Sequence, residues 1–148
     1  MADVRRAVRE WAGLVDPTTG GYLVALSGGG DSLALAWALS EEAPGLALPV
    51  GAVIVDHQLQ AGSAERATIA AELATGWGLS PVIIKTITVG NAGGPEEAAR
   101  KARYQAFSEA LKETGARGAL LAHTKDDQAE TVLLGLARGS GPSGLKGM

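Results

Sequence analysis

The sequence predicts an α/β domain built on an open, mainly parallel sheet with helices on both faces. Four short apolar runs carry this prediction, because strands buried on both faces of a parallel sheet are continuous apolar segments. The runs cover residues 21–26, 50–55, 82–87 and 118–122. Helical segments lie between them, and strands alternating with helices are typical of open α/β sheets with right-handed crossovers.

The helices follow in chain order. Residues 1–17 predict a short amphipathic helix, without the apolar core of a signal peptide. A second helix is expected directly after the Gly-rich stretch that follows the first run. Apolar residues at i, i+3, i+4 and i+7 predict a third and a last helix. These stripes are Ala67, Ala70, Ala71, Ala74 and Trp77, and then Ala129, Val132, Leu133 and Leu136. Between those two, Pro95 and Gly115 predict a helix over Pro95–Thr114.

The composition narrows the class of protein. With 148 residues, 46% hydrophobic and 20% charged, the chain fits one domain and is unlike a disordered or fibrous protein. The absence of cysteine excludes disulfide scaffolds, thiolate metal sites and cysteine nucleophiles. No apolar stretch approaches the ~18–20 residues of a membrane span, so we expect a cytoplasmic protein without a membrane partner. The net charge of −3 divides into −6 over residues 1–99 and +3 over residues 100–148, and a charge of +3 is too small to predict a nucleic-acid surface.

The strongest motif is Ser-Gly-Gly-Gly-Asp-Ser at 27–32, between the first apolar run and the second helix. Glycines let several backbone N–H groups point into one concavity, and the helix N-terminus adds partial positive charge. We therefore predict a nucleotide phosphate site formed by Ser27, Gly28, Gly29, Gly30 and Ser32. The loop lacks the Lys of a Walker A motif, so Mg²⁺ and other residues must neutralise the phosphates. A plain turn that needs glycine for positive φ is the alternative.

Other polar residues follow the remaining strands. If the first and fourth strands are neighbours, Asp31 and Asp127 converge, and two such carboxylates favour a bridging Mg²⁺. The acids after the fourth strand also fit a capping box, which is an equally good interpretation of that stretch alone. Asp56 and His57 follow the second strand. Arg100 and Arg103 share one helix face, either as a solvated surface or as a clamp for pyrophosphate.

A second glycine-rich stretch, residues 139–144, fits the spacing of a dinucleotide fingerprint. It follows a predicted helix, whereas that fingerprint requires a strand, a turn and a helix in this order. We interpret it as a helix stop and loop.

Several separated segments resemble the PP-loop ATP pyrophosphatase superfamily and, within it, the N-terminal domain of the tRNA(Ile)-lysidine synthetase family. The SGG-x-DS loop identifies the superfamily, and the stretch from DDQAET to GLKGM is more specific. The segments are VALSGGGDSLALAW at 24–37, VDHQL at 55–59, EEAARKARYQAF at 96–107, and AHTKDDQAETVLLGLARGSGPSGLKGM at 122–148.

The resemblance implies a Rossmann-like adenine nucleotide alpha hydrolase fold, with residues 1–148 as one ATP-binding domain at the N-terminal end of a longer protein. It implies ATP and Mg²⁺ as cofactors, and tRNA(Ile) and free lysine as substrates. The wobble cytidine would be adenylated with loss of pyrophosphate, and lysine would then displace AMP to give lysidine. By motif position, Asp31 and Asp127 would hold Mg²⁺, Arg100 or Arg103 would meet pyrophosphate, and Asp56 and His57 would line the nucleotide pocket.

Three departures and several alternatives accompany the resemblance. The family commonly has Gly and Arg where this chain has Gln58 and Gln60, and often His where Thr124 stands. The loss of a basic residue at position 60 puts a phosphate or tRNA contact there in doubt. Another PP-loop enzyme and a non-catalytic ATP/AMP-binding module are the alternative functions. Inactivity of the 148-residue chain alone and a homodimer also stay open.

Overall fold

The computed structural model describes residues 1–90, 93–125 and 128–134. It contains an α/β arrangement in which helices and strands alternate through the fourth strand. The elements are α1 (Ala2–Ala12), β1 (Tyr22–Leu26), α2 (Gly30–Glu42), β2 (Val50–Asp56), α3 (Ser63–Gly76), β3 (Val82–Thr86), α4 (Pro95–Thr114), β4 (Gly118–Lys125) and β5 (Gln128–Leu134). Helix α4 has the predicted bounds, and the four parallel strands fall on the four apolar runs.

The sheet has the order β3-β2-β1-β4-β5. β1 lies between β2 and β4 and is parallel to both. The direction of winding therefore reverses between β1 and β4, and ligands of open α/β sheets bind beyond the carboxyl ends of strands at such a point. The first and fourth strands are neighbours, which is the condition on which the expected convergence of Asp31 and Asp127 depends.

Helices cover both faces of the sheet, as predicted. Alternate residues of β1 enter two separate cores because successive side chains of a strand point to opposite faces. Val24 packs with α1, α2 and α3, while Leu23 packs against α4. Both are buried, as are Leu39 of α2 and Phe107 of α4. The sheet is consequently a rigid layer that fixes the loops at its carboxyl edge.

Two expectations are wrong in detail. β3 is an edge strand, and Ile84 within it is 40% exposed, so this strand is not buried on both faces. Residues 128–134, expected to begin the last helix, form β5 antiparallel to β4. The segment QAETVLL contains β-branched Thr131 and Val132, and a short apolar run suits either element. Pairing with the otherwise open edge of β4 satisfies its backbone groups, and this ladder decides the outcome.

Among the described residues, none of the helices combines the length and apolar character needed to cross a membrane.

Candidate functional site

The Gly-rich loop lies at the carboxyl end of β1 and leads directly into α2, as its sequence predicts. β1 ends at Leu26, and α2 begins at Gly30 with Gly29 as its N-cap. Gly28 has a φ of +85°, in a backbone region that residues with a side chain rarely adopt. The first intrahelical hydrogen bond is donated by the Leu33 N–H to the Gly29 carbonyl. The N–H groups that precede it in the first turn lack helical acceptors and suit an anion.

The two serine hydroxyls of the motif hold the loop together. Ser32 Oγ donates to the Gly29 carbonyl at 3.0 Å and accepts from the Ser27 N–H at 3.1 Å. Ser27 Oγ lies 3.1 Å from Ser32 Oγ and accepts from the Gly29 N–H. Ser32 is 5% exposed, so its hydroxyl shapes the cradle from beneath. Ser27 is exposed at the surface of the loop.

Gly30 and Asp31 occupy the first turn of α2, and both are exposed. Gly30 lacks the positive φ of Gly28, and a Cβ built on it would meet no described atom within 4 Å. Neither backbone conformation nor packing therefore requires glycine at position 30. Close approach of an external group to the backbone is a reason that fits the open space above it. Asp31 directly follows Gly30 as the second residue of the helix.

Asp56 ends β2 and is 6% exposed. The hydrogen bonds donated by the Ser63 hydroxyl and by the Gln58 N–H hold the pKa of the Asp56 carboxyl below its usual value. The Gln58 bond is 3.0 Å long. Gln58 has a φ of +59°, a left-handed conformation that glycine adopts more easily. The carboxylate of Asp56 thus ties the turn after β2 to the start of α3.

His57 is half-buried beside Asp56, and its Nδ1 is buried without a hydrogen-bond partner among the described residues. Burial lowers the pKa of His57, and the nearby Arg103 guanidinium lowers it further, while Asp56 opposes this shift. The imidazole is therefore neutral at pH 7, and a neutral imidazole offers one acceptor nitrogen.

A cleft of about 440 Å³ extends from the Gly-rich loop along the carboxyl end of β2 to α3. Its volume lies in the range of small-ligand sites, about 300–1,000 Å³. Its polar residues include Ser27, Asp56 and His57, and its apolar wall includes Leu33 of α2 and Ile54 of β2. The structure thus brings Ser27 and Gly28 of the loop to one cavity with Asp56 and His57, whereas residues 29–32 of the loop do not line it.

Arg100 and Arg103 lie on α4, which covers the opposite face of the sheet from α2 and α3. The centres of their guanidinium groups lie 5.4 and 5.8 Å from the centroid of the Tyr104 ring. Arg103 is close enough to His57 to lower its pKa, which places its charge near the carboxyl end of β2. Arg100 is exposed and borders a shallow depression that includes Gly93 and Glu97.

The prediction for Asp127 lies outside the described residues, so its convergence with Asp31 stays a prediction. Within the part of the chain that the structure describes, there is no cluster of three His, Cys, Asp or Glu side chains suited to a metal ion. A homodimer likewise has no support in the described residues.

Sequence reasoning missed several residues of the cleft on α3 and the turn before it. Ser63 bonds to Asp56, and Arg66, Ile69 and Leu73 line the cavity. The alanine stripe at 67, 70 and 74 correctly marks the buried face of α3. The large apolar residues at 69 and 73 lie beside that stripe. They were the signal in the sequence that α3 has a second apolar face, which borders the cleft.

Comparison with known proteins agrees with this geometry. The sequence is 60% identical to the tRNA(Ile)-lysidine synthase of Leifsonia xyli subsp. xyli (strain CTCB07) over 126 residues, covering 85% of this chain and 38% of that protein. It is 56% identical over 149 residues to the tRNA(Ile)-lysidine synthase of Salinispora arenicola (strain CNS-205), covering 100% of this chain and 44% of that protein. The chain therefore spans less than half the length of these relatives.

The fold is similar to that of a U34-tRNA thiolase from Methanococcus maripaludis, with a TM-score of 0.66 at 18% identity. That likeness covers 85% of this chain and 46% of the thiolase chain, and it supports the fold alone. A family model described as a PP-loop domain matches residues 4–148. Because the match covers nearly the whole chain and includes the loop at 27–32, the chain belongs to the PP-loop domain family.

Proposed function

We propose that residues 1–148 form the ATP-binding PP-loop domain of an enzyme that adenylates the wobble cytidine of tRNA(Ile) and joins lysine to it. The observation that carries this proposal is the Gly-rich loop at the switch point of the sheet, in a chain 56% identical along its full length to a tRNA(Ile)-lysidine synthase. The reaction belongs to the whole protein, of which this domain supplies the nucleotide site.

In this proposal the triphosphate occupies the loop from Ser27 to Ser32, where backbone N–H groups and the α2 N-terminus offset its charge. The nucleoside extends into the cleft beside Asp56 and His57. The open space above Gly30 supports this placement, since a side chain there would obstruct the phosphates. His57 lines the cleft, and its neutral imidazole has one acceptor nitrogen that suits a hydroxyl or amino group of the nucleoside.

Asp31 and Asp127 would hold Mg²⁺ together with phosphate oxygens. Carboxylate oxygens are the ligands that Mg²⁺ prefers, and nucleotide sites usually supply only one or two of them. The exposed carboxylate of Asp31, next to the loop, fits this donor set. When bound, the ion would neutralise charge on the phosphates.

The chemistry then has two displacements. O2 of the cytidine attacks the α-phosphorus, the bond from that phosphorus to the bridging oxygen breaks, and pyrophosphate leaves. The ε-amino nitrogen of lysine next attacks C2 of the adenylated cytidine, AMP leaves with the former O2, and the amine loses a proton to solvent. Arg100 or Arg103 would stabilise the departing pyrophosphate electrostatically. ATP, tRNA and free lysine meet in the cytoplasm, which is therefore the proposed location.

The test measures pyrophosphate release by the whole protein that contains these residues. We expect release with a tRNA(Ile) transcript carrying cytidine at the wobble position, and none when uridine replaces that cytidine. Mass spectrometry should find lysidine only when lysine is also present. Asp127→Asn should abolish the release, and an unchanged rate would discard its metal role. ATP binding without any tRNA-dependent release would favour a non-catalytic nucleotide module.

A further inference from the structure

One face of α3 combines exposed apolar side chains with the positive charge of Arg66 near the N-terminal end of the helix. Arg66, Ile69, Ala70 and Leu73 recur at i, i+3, i+4 and i+7 and all line the cleft. Ile69 is 56% exposed and Leu73 is 40% exposed, although both are large hydrophobic residues. Exposed apolar surface inside a ligand-sized cavity indicates a ligand with an apolar face.

The guanidinium of Arg66 is held at the rim by two acceptors. One terminal nitrogen donates to the Ala61 carbonyl at 3.1 Å, and the other donates to Gln60 Oε1 at 3.2 Å. The N–H groups of a guanidinium lie in its plane, so these two bonds engage its edge, and Arg66 is exposed. Arg66 is also the single Lys or Arg among the described residues that line the cleft. Its charge is near enough to lower the pKa of Asp56 slightly.

We propose that Arg66 is a binding residue that stacks its guanidinium on the nucleobase of the bound nucleotide, with Gln60 as the positioning residue that holds it. This inference rests on the proposed nucleotide site. It places the positive charge at the rim of the cleft on Arg66 of α3, since position 60 is Gln in this chain.

The surroundings favour a base over a phosphate as the partner of Arg66. A planar, weakly hydrated guanidinium stacks well on aromatic rings, whereas the loop at 27–32 already provides the N–H donors that phosphates need. A phosphate against Ile69 and Leu73 would lose hydration without gaining donors from that wall. A purine can instead cover both aliphatic side chains with one face of its ring system.

The experiment compares Mg²⁺-ATP with Mg²⁺-tripolyphosphate, which lacks the base and ribose, by calorimetry on the full chain. We expect Arg66→Ala to weaken ATP binding by about 5–30-fold and to leave tripolyphosphate binding unchanged. Arg66→Lys keeps the charge but lacks the planar guanidinium. It should therefore recover less than half of the binding free energy that Arg66→Ala loses. Gln60→Ala should produce a smaller loss in ATP binding alone. The control is Arg6→Ala, which removes an exposed arginine of α1.

Each other outcome has a definite meaning. Equal losses for ATP and tripolyphosphate would show a phosphate contact and overturn the inference, as would unchanged ATP binding. A shallower salt dependence of ATP binding in Arg66→Ala would overturn it too, because phosphate contacts govern that slope. If the parent chain binds neither ligand, the proposed nucleotide site itself fails. Circular dichroism of every variant separates these results from a loss of folding.

Discussion

Replacing Gly30 with alanine should weaken nucleotide binding while leaving the fold intact. Position 30 has an ordinary φ, and its added Cβ would meet no described atom within 4 Å. Alanine is therefore compatible with the folded chain. The new methyl group would nevertheless stand in the open space above the first turn of α2, where we place the phosphates. The substitution thus separates a ligand-imposed glycine from a fold-imposed one.

Gly30→Ala should stabilise the folded chain and at the same time weaken its binding of ATP. A glycine replaced by alanine in a compatible conformation stabilises a protein by about 0.4–1 kcal/mol, through the lower entropy of the unfolded chain. For a domain of this size, Tm should therefore rise by about 1–3 °C. Hydrogen bonds to charged groups contribute about 1.5–3 kcal/mol each, so the loss of one from the phosphates weakens ATP binding about 10–100-fold.

Two further glycines serve as matched controls. Gly76, the last residue of α3, also lacks positive φ and has no described atom near its added Cβ. Gly76→Ala should raise Tm similarly without changing ATP affinity. Gly28 has a φ of +85°, so alanine there incurs about 1–2 kcal/mol of strain, partly offset by the entropy term. Gly28→Ala should lower Tm by about 2–4 °C.

Calorimetric titration with Mg²⁺-ATP and thermal unfolding without ligand measure both quantities on each variant. The reasoning fails if Gly30→Ala binds ATP as tightly as the parent, because the phosphates would then not approach the backbone at this point. It also fails if Gly30→Ala lowers Tm by as much as Gly28→Ala does, because the fold itself would then require that glycine.

Two predictions concern the folded scaffold. The unfolded His pKa of about 6.5 exceeds that of His57 in the fold, so the unfolded state binds the proton first and stability falls as pH decreases below about 6.5. His57→Gln should reduce that loss in urea unfolding measured between pH 7 and pH 5, and an unchanged pH dependence would contradict the burial of this imidazole. Leu39→Ala should destabilise the chain by about 2–5 kcal/mol, because Leu39 is 0% exposed in the core beside α1 and α3. Leu14→Ala, at a residue 86% exposed, should change stability by less than about 0.5 kcal/mol in the same assay.

Local sequence patterns predict the fold well where local chemistry determines it. Helix α4 begins at Pro95 and ends before Gly115, as both residues indicate. The fourth strand shows the limit, because its apolar run ends at residue 122 whereas β4 continues to Lys125. Lys125 pairs with Gln128 of β5. That extension depends on a partner strand, which no pattern within residues 118–122 contains.

The candidate site divides in the same way. The loop at 27–32 combines residue types that each point to phosphate, so its place in the fold follows from the motif. Arg66 was missed because its role depends on where its guanidinium is held, at Gln60 and Ala61, and on the cleft that α3 borders. A solvated arginine in a first helical turn has the same local sequence.

Asp56 shows how the structure changes the interpretation of a correctly located residue. Its carboxylate already accepts hydrogen bonds from Ser63 and from the backbone of Gln58, and only 6% of the residue is exposed to a ligand. These bonds stabilise the left-handed conformation of Gln58, which glycine adopts more easily. The same turn carries Gln60, which orients Arg66. In the proposed nucleotide site, Asp56 would therefore act by fixing the turn that carries His57, which lines the cleft, and Gln60, which holds Arg66.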